Sequence, residues 1–432
     1  MRKRILALIS ASAIVALAFG AVPRAAQAAT VYDFYIAPGG NTDDTLAAYN
    51  TSCRNPYSHD LQDALNEIGV NPGDPDNTDT IYLCAGTYYG QFDSPDDGRG
   101  DLVLVGASPA TTILDGEREG DELFGYYDGN LTVKNLTFRN GYSDYADGGA
   151  INLEYGGDFT CINSTFLDNE ASNDGGAVYV GSGSATLNKC TFKNNLADYG
   201  GAIWVDDDIQ DVGGVYINNS AYYHAGAVDA TGSGTSTFFR STFIGNAACY
   251  AGDGVCSGDG DGGAINTHSC AELSIISSKF VNNSAETKGG AVSVGGDCGL
   301  YASIERSTFT GNEASSGGAV YADYGLNLGL TGNIFKGNRA SNLGGALYVV
   351  SNLELGAGNT FSRNTAVERP SGYKNDGAYI EYCDSFDEDD YSTPNFAHGA
   401  LSNSYGYWLN DVFRNGTQTF YYTDNCTFIT PG

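Results

Sequence analysis

Four aspartates close together have the residue types that glycoside hydrolysis uses. Asp206, Asp207, Asp208 and Asp211 all lie in the segment "WVDDDIQD", and a pair of carboxyl groups supplies the acid and the base or nucleophile of that reaction. Acidic residues are abundant throughout the chain, which has 52 of them. We therefore interpret this group as solvated surface.

A second acidic group lies in "AACYAGDGVCSGDGDGG", residues 247–263. Asp253, Asp259 and Asp261 alternate with glycines there, and carboxylate oxygens are ligands that calcium prefers. Their spacing does not match an EF-hand loop. We favour a flexible loop with no metal, which a disulfide between Cys249 and Cys256 would close. Calcium is the one cofactor that the sequence suggests.

Four aromatic residues are the best binding candidates. Tyr179 and Trp204 occupy neighbouring repeats, and so do Tyr321 and Tyr348. Exposed aromatics one repeat apart would form a flat platform for sugar rings or for an apolar protein patch. Cross-strand packing that only stabilises a sheet is the alternative, and the sequence leaves both open.

The charge of the chain excludes some partners and disfavours others. Its 432 residues include 21 basic and 52 acidic side chains, for a net charge of −31. Such a charge repels nucleic acid, and it repels a polyanionic substrate unless calcium bridges the two. Only four histidines are present, so bases for proton abstraction are scarce. We favour a protein without catalysis, with a polysaccharide lyase or glycoside hydrolase as the alternative.

The first 28 residues have the pattern of a secretory signal peptide. Basic residues 2–4 precede an apolar run over residues 5–22, and Ala26 and Ala28 form an A-x-A cleavage site. A membrane anchor is the alternative. No later apolar run reaches the roughly 18 residues that a transmembrane helix needs. We expect a secreted or cell-surface protein without a transmembrane segment and associated with the cell envelope.

Most of the chain consists of one repeated element. A Phe, an Asn three residues later, and then a G-G-A sequence followed by an aliphatic residue recur with a period mostly between 25 and 28 residues. The alanine of this element is Ala150, Ala177, Ala202, Ala227, Ala264, Ala291, Ala319, Ala346 and Ala378. A period of this length is typical of a solenoid.

The residues after each alanine predict a strand. Aliphatic, variable and apolar residues follow in turn, as in Val178, Tyr179 and Val180, and this alternation buries one face of a strand. The Phe column should point inward. The Asn column should lie at a turn in left-handed backbone geometry, with stacked amides bonding coil to coil.

The cysteines can be placed with the register of the repeat. Cys270 and Cys298 lie ten and eleven residues before their Phe, so adjacent coils should bring them within bridging distance. Cys161 and Cys190 are offset by three residues, roughly 10 Å of extended chain, which predicts no disulfide between them. The other cysteines that we expect in disulfides are Cys53, Cys84, Cys249, Cys256, Cys383 and Cys426.

The F-x-x-N and G-G-A elements resemble the repeats of the polymorphic outer membrane proteins, which are bacterial autotransporter adhesins. The match covers residues 131–380. The earlier segments "FYIAPGG", "LQDALNEIG" and "DTIYLCAGTY" are similar to the N-terminal coil of pectate-lyase-like proteins. The resemblance implies a right-handed parallel β-helix and an adhesive role at a surface.

Together these observations predict an all-β right-handed parallel β-helix with a short N-terminal capping helix. The predicted parts are a signal peptide (1–28), an N-terminal cap with the first irregular coils (29–130), the repeated coils (131–380) and an irregular C-terminal cap (381–432). We expect an adhesin or matrix protein that binds a glycan or a surface protein through its exposed aromatics.

Overall fold

The computed structural model describes residues 33–38, 52–53, 60–69, 78–94, 100–127, 129–155, 157–249, 260–268, 272–295, 301–323, 326–350, 352–366, 378–380 and 407–409. The predicted signal peptide and nearly all of the predicted C-terminal cap lie outside these residues. So do Asp253, Asp259 and five of the ten cysteines, namely Cys256, Cys270, Cys298, Cys383 and Cys426.

The described part of the chain is a right-handed parallel β-solenoid of about ten turns. Four sheets run along it, and each regular coil adds one strand to each sheet in turn. The strands are parallel except at the last pair of sheet 4, where Ala378–Ile380 and Tyr407–Leu409 are antiparallel. The predicted fold class is confirmed.

Sheet 1 contains the longest strands, and sheet 2 contains the strands that carry the Phe column. Sheet 1 contains Asp33–Ile36, Thr78–Leu83, Asp101–Gly106, Leu131–Lys134, Phe159–Ile162, Ala185–Asn188, Ile209–Val212, Thr235–Phe239, Glu272–Ile276, Tyr301–Glu305, Asn327–Thr331 and Asn352–Leu355. Sheet 2 contains Gly86–Tyr89, Thr112–Asp115, Thr137–Arg139, Thr165–Leu167, Thr191–Lys193, Val215–Ile217, Thr242–Ile244, Lys279–Val281, Thr308–Thr310, Ile334–Lys336 and Thr360–Ser362.

Sheets 3 and 4 complete each coil. Sheet 3 consists of two-residue strands, at Tyr142–Ser143, Glu170–Ala171, Leu196–Ala197, Ser220–Ala221, Ala247–Ala248, Ser284–Ala285, Glu313–Ala314, Arg339–Ala340 and Thr365–Ala366. Sheet 4 follows the G-G-A element and contains Phe92–Asp93, Phe124–Gly125, Ile151–Leu153, Val178–Val180, Ile203–Val205, Val228–Ala230, Ile265–Thr267, Val292–Val294, Val320–Ala322, Leu347–Val349, Ala378–Ile380 and Tyr407–Leu409.

The predicted helix is Leu61–Gly69. Asp60 Oδ1 accepts a hydrogen bond from the backbone N–H of Asp63 at 3.0 Å, which satisfies one of the donors that a helix N-terminus leaves open. Leu61 and Leu65 are buried in the hydrophobic core of the solenoid. The helix therefore contributes its apolar side to the N-terminal end of that core.

The Phe column faces inward, as predicted. Its rings are buried and stack from coil to coil, for example Phe280 on Phe309 with centroids 4.7 Å apart and parallel planes. Tyr216 takes the Phe position in one coil and is also fully buried. Phe361, in the last coil of the series, is only partly buried.

The asparagine ladder is present, but its backbone geometry differs from the prediction. Asn195 Nδ2 donates to Asn219 Oδ1 at 2.8 Å and to the carbonyl of Phe166 at 3.2 Å, and the same pattern recurs along the column. The left-handed residue is the one before the ladder asparagine, such as Asn194 with φ 55°. That residue makes the turn, which leaves the ladder asparagine free to point inward.

The predicted absence of a Cys161–Cys190 disulfide was wrong. The two residues are bridged, with their Cα atoms 6.3 Å apart, and both are fully buried. The 10 Å estimate assumed extended chain, whereas Lys189 has φ 57° and turns the chain sharply from sheet 1 to sheet 2. Two inward side chains on either side of this corner therefore meet.

Three further cysteines among the described residues are disulfide-bonded. Cys53 and Cys84 are bridged, with Cα atoms 5.5 Å apart, and both are among the cysteines expected in disulfides. Cys249 is also disulfide-bonded. The Cys270–Cys298 pairing lies outside the described residues and stays a prediction.

One of the four clustered aspartates is not on the surface. Asp206 and Asp207 are exposed, but Asp211 is fully buried at an inward position of sheet 1, paired in register with Leu187. The strand after the Asp206–Asp208 turn again alternates inward and outward, and position 211 falls on the inward side. Burial raises the pKa of the Asp211 carboxyl to about 7.

Candidate binding site

The four predicted aromatics lie in one outward column of sheet 4. The backbone register aligns this column along the solenoid as Asn152, Tyr179, Trp204, Asp229, Asn266, Ser293, Tyr321 and Tyr348. Two aromatic pairs are thus separated by three coils with small polar residues. The sequence analysis identified the two aromatic pairs, but it did not single out the polar residues between them as part of a site.

The Tyr179 and Trp204 rings stack on each other with centroids 4.8 Å apart and planes inclined by 20°. Both side chains are half-buried. The predicted flat platform is wrong in this respect, because rings stacked along the column cover each other's faces. In the next coil Asp229 follows Trp204 in register.

The second aromatic pair is not exposed. Tyr321 and Tyr348 stack with centroids 5.1 Å apart, but their exposed fractions are only 8% and 7%. Leu343 and Val350 pack against them. Leu343 lies three residues before its alanine, and the G-G turn places that position beside the outward column. These two tyrosines therefore have the packing role that the sequence left open as an alternative.

The position three residues before each alanine forms a second column, next to the first. Its members are Asp147, Asp174, Tyr199, His224, Asp261, Lys288, Ser316 and Leu343, and backbone bridges join Asp174 to Tyr199 and Asp261 to Lys288. The first glycine of the G-G pair has positive φ, as at Gly175 with φ 65°. A side chain there is disfavoured, and the resulting turn brings the two columns side by side.

Carboxylates surround the first aromatic pair. Burial, followed by the negative charges of Asp147 and Asp174, raises the pKa of the Tyr179 hydroxyl to about 12. Burial and the neighbouring carboxylates of Asp147 and Asp229 raise the pKa of Asp174 to about 7. A sugar hydroxyl could donate to these oxygens, whereas a uronate would be repelled.

The stretch of the outward column between the two aromatic pairs is polar. It consists of Asp229, Asn266 and Ser293, which are only 1%, 2% and 4% exposed. Trp204 closes one end and Tyr321 the other, as the register requires. We call these five residues, together with Asp261, His268 and Lys288 beside them, the sheet-4 notch.

A histidine and an aspartate interact within the sheet-4 notch. His268 Nε2 lies 3.4 Å from Asp229 Oδ1, and the Asn266 amide donates to the same oxygen at 3.3 Å. Burial alone lowers the pKa of His268, but the hydrogen bond and charge of Asp229 outweigh it, so the pKa is raised. The ring of His224 lies 5.2 Å from that of His268. Asp229 Oδ2 is buried without a hydrogen-bond partner in the structure.

A lysine lies across the other end of the sheet-4 notch. Lys288 Nζ is 3.4 Å from Asp261 and 3.7 Å from Asp323, and it lies 5.1 Å from the centre of the Tyr321 ring. Asp261 also bonds Thr287. Asp261 therefore has partners without a metal, and the proposed calcium ligands Asp253 and Asp259 lie outside the described residues. No metal-binding cluster of His, Cys, Asp or Glu occurs in the part of the chain that the structure describes.

Sequence reasoning missed Asp229, His224, His268 and Lys288. Asp229 was visible as a variable residue in the outward column. The two histidines and the lysine had no motif, because they come from positions before and after the strand. The signal that would have found them is the period itself, since the columns at fixed offsets from each alanine can be read side by side.

Comparison with known proteins identifies the repeat. Four segments, residues 163–181, 189–206, 306–323 and 334–350, match the family model of the Chlamydia polymorphic membrane protein (Chlamydia_PMP) repeat. The chain therefore contains repeats of this type, as predicted. It has no significant match to a curated protein.

One solved structure has a similar backbone fold. It is described as a mannuronic acid specific polysaccharide family 6 lyase enzyme from human gut microbiota. The two are 11% identical over 81% of this chain and 78% of that one, with a TM-score of 0.41. Similarity at this level does not bear on the activity of this chain. No helix of the described residues has the length and apolar character to cross a membrane.

Proposed function

We propose that this protein is a cell-surface β-helix that binds carbohydrate at the sheet-4 notch, without catalysis. The observation that carries the proposal is the half-buried Trp204 ring, which stacks on Tyr179 and is followed in register by the polar residue Asp229. Sugars are bound by stacking one ring face on an aromatic ring while their hydroxyls bond nearby polar groups. Both kinds of group meet at this end of the notch.

The charge of the notch indicates the class of sugar. Asp229 and Asp261 lie in it, Asp174 lies close by, and His268 and Lys288 are each paired with an aspartate. Such a site accepts hydroxyl donors and disfavours carboxylates and sulfates. We infer that the ligand is a neutral or amine-bearing glycan. The polymorphic membrane protein repeats support a location at the cell surface or outer membrane.

A glycan array tests this function. The purified protein and its Trp204→Ala variant are applied to neutral, amine-bearing and acidic glycans. Tyr301→Ala is the control, because Tyr301 is 60% exposed on sheet 1, away from the notch. We expect neutral or amine-bearing glycans to bind the protein and the control but not the Trp204 variant. No binding to any glycan, or equal binding by all three, would contradict the proposal.

One observation favours a second candidate, a polysaccharide-cleaving enzyme. The buried Asp229 carboxylate beside the partly exposed His268 imidazole is an arrangement that orients a general base. Incubation with a panel of polysaccharides distinguishes the two functions. New reducing ends or unsaturated products that disappear in His268→Gln would establish the enzyme and exclude the non-catalytic function.

A further inference from the structure

A basic surface lies on sheet 2, although the chain is strongly acidic. The outward positions of this sheet, from Thr137–Arg139 to Thr360–Ser362, contain four basic residues and no acidic residue. The basic residues are Arg139, Lys193, Lys279 and Lys336. Acidic residues outnumber basic ones 52 to 21 in the whole chain, so this composition is the reverse of the average.

The corner between sheets 1 and 2 extends this surface. One residue of each coil has positive φ there, and the column is Asn135, Asn163, Lys189, Gly213, Arg240, Ser277, Arg306, Gly332 and Gly358. It again contains basic residues and no acidic one. We call the outward residues of sheet 2 together with this corner column the basic face.

The corner column has an alternating pattern. Lys189, Arg240 and Arg306 occur in every second coil, and glycine or serine fills the coils between them. A Cβ on Gly213 would lie 3.6 Å from Lys189 Cγ, and one on Gly332 would lie 3.4 Å from Arg306 Cγ. The small residues therefore give room for the long basic side chains to lie along the solenoid. Two coils correspond to about 10 Å.

Most of the basic side chains are available to a partner. Lys189, Lys193, Arg240, Lys279 and Lys336 are exposed, and none of them forms an ion pair with another described residue. Arg306 is 58% exposed but bonds its neighbour Glu305 at 2.8 Å. Arg139 bonds Asp115 at 2.7 Å. A surface with regularly placed cations, most of them unpaired, is complementary to a polymer of regularly spaced anions.

We propose that the basic face binds a linear acidic polysaccharide that carries one negative charge for every two sugar residues. The alternation in the corner column supports this spacing, because a disaccharide is about as long as two coils. The outward threonines of sheet 2, such as Thr191 and Thr242, add hydroxyls for the sugar. The net charge does not prevent contact, because charges more than about 8 Å away are largely screened at physiological ionic strength.

This interaction is separate from the proposed glycan site on sheet 4. The two surfaces belong to different sheets, take ligands of opposite charge and are altered by different substitutions. One protein could therefore attach to an acidic polymer through the basic face while the sheet-4 notch remains open. Failure of either proposal leaves the other unaffected.

Binding of hyaluronan oligosaccharides, which carry one carboxylate per disaccharide, tests the proposal by calorimetry. The variant Lys189→Gln, Arg240→Gln, Lys279→Gln removes three exposed charges. The matched control Arg118→Gln, Arg339→Gln removes two exposed charges outside the basic face, and neutral dextran is the control ligand. We expect binding that weakens with salt, falls at least tenfold in the triple variant and stays within twofold in the control.

Two results would overturn the proposal. One is a native protein that does not bind the oligosaccharide, or a triple variant that binds it as tightly as the native protein. The other is salt-dependent self-association, seen by light scattering and abolished in the triple variant, without polysaccharide binding. That result would assign the basic face to a second copy of the chain.

Discussion

Cys161 and Cys190, from neighbouring coils, are joined by a disulfide inside the core of the solenoid, with Cα atoms 6.3 Å apart. Cys161 is paired in register with Val133 in the preceding coil, and the coil before Cys190 has Ser164 at the position of Cys190. The equivalent positions in the other coils hold no cysteine, so this pair alone is joined covalently. It ties one corner of the solenoid to the next.

Removing this disulfide should lower the free energy of unfolding by about 3–4 kcal/mol, the usual value for a closed loop of this length. The variant Cys161→Val, Cys190→Ser gives each coil the residue of its neighbour, so packing changes little. Urea denaturation measures the loss. An unchanged midpoint, or two free thiols in the native protein by peptide mapping, would contradict the assignment.

The stacked Phe column should carry much of the core stability. Phe309 is fully buried between Phe280 and Phe335, with ring centroids 4.7 Å and 4.9 Å away. We expect Phe309→Ala to cost about 3–5 kcal/mol. Phe361→Ala is the matched control, since Phe361 is only partly buried and should cost clearly less. Equal costs would show that the column is not the continuous core described.

Stability should depend on pH through Asp211. Burial raises the pKa of this carboxyl to about 7 in the folded protein, against about 3.9 in the unfolded chain. The folded state therefore binds more protons between these values, and the free energy of unfolding falls as pH rises from about 4 to about 7. Asp211 accounts for roughly 4 kcal/mol of this fall in the free energy of unfolding.

Asp211→Asn tests this dependence because it keeps the shape and removes the titration. Other carboxyls with raised pKa values, such as Asp174, titrate equally in both proteins and cancel in the comparison. We expect urea denaturation to show similar stabilities at pH 4.5 and a more stable variant at pH 7.5. A stability difference that is the same at both pH values would contradict a buried, protonated Asp211.

The sequence allowed the strands, the inward Phe column and the Asn ladder to be predicted. These features repeat in every coil, so each position could be read from many examples. The Cys161–Cys190 bond could not, because an offset along the chain does not give distance across a corner where Lys189 has a left-handed backbone. Deviations from the repeat, such as Asp211 in a column of apolar residues, also required the structure.

The site was only partly predictable for a related reason. The outward column of sheet 4 was predicted correctly. The side chains that surround it, however, come from other positions of the repeat, before and after the strand. Leu343 covers Tyr348, and His268 reaches Asp229. Exposure therefore depends on which side chain happens to occupy the adjacent column in each coil, and the alternation within a strand carries no information about that.

Calorimetric titration with a glycan identified on the array tests the central claim most directly. Trp204→Ala removes the half-buried indole ring at the sheet-4 notch. Tyr348→Ala removes an aromatic ring from the same column that is 7% exposed. The account predicts that Trp204→Ala weakens glycan binding at least tenfold with little change in melting temperature. It predicts native affinity and a lowered melting temperature for Tyr348→Ala. Native affinity in Trp204→Ala would contradict the account.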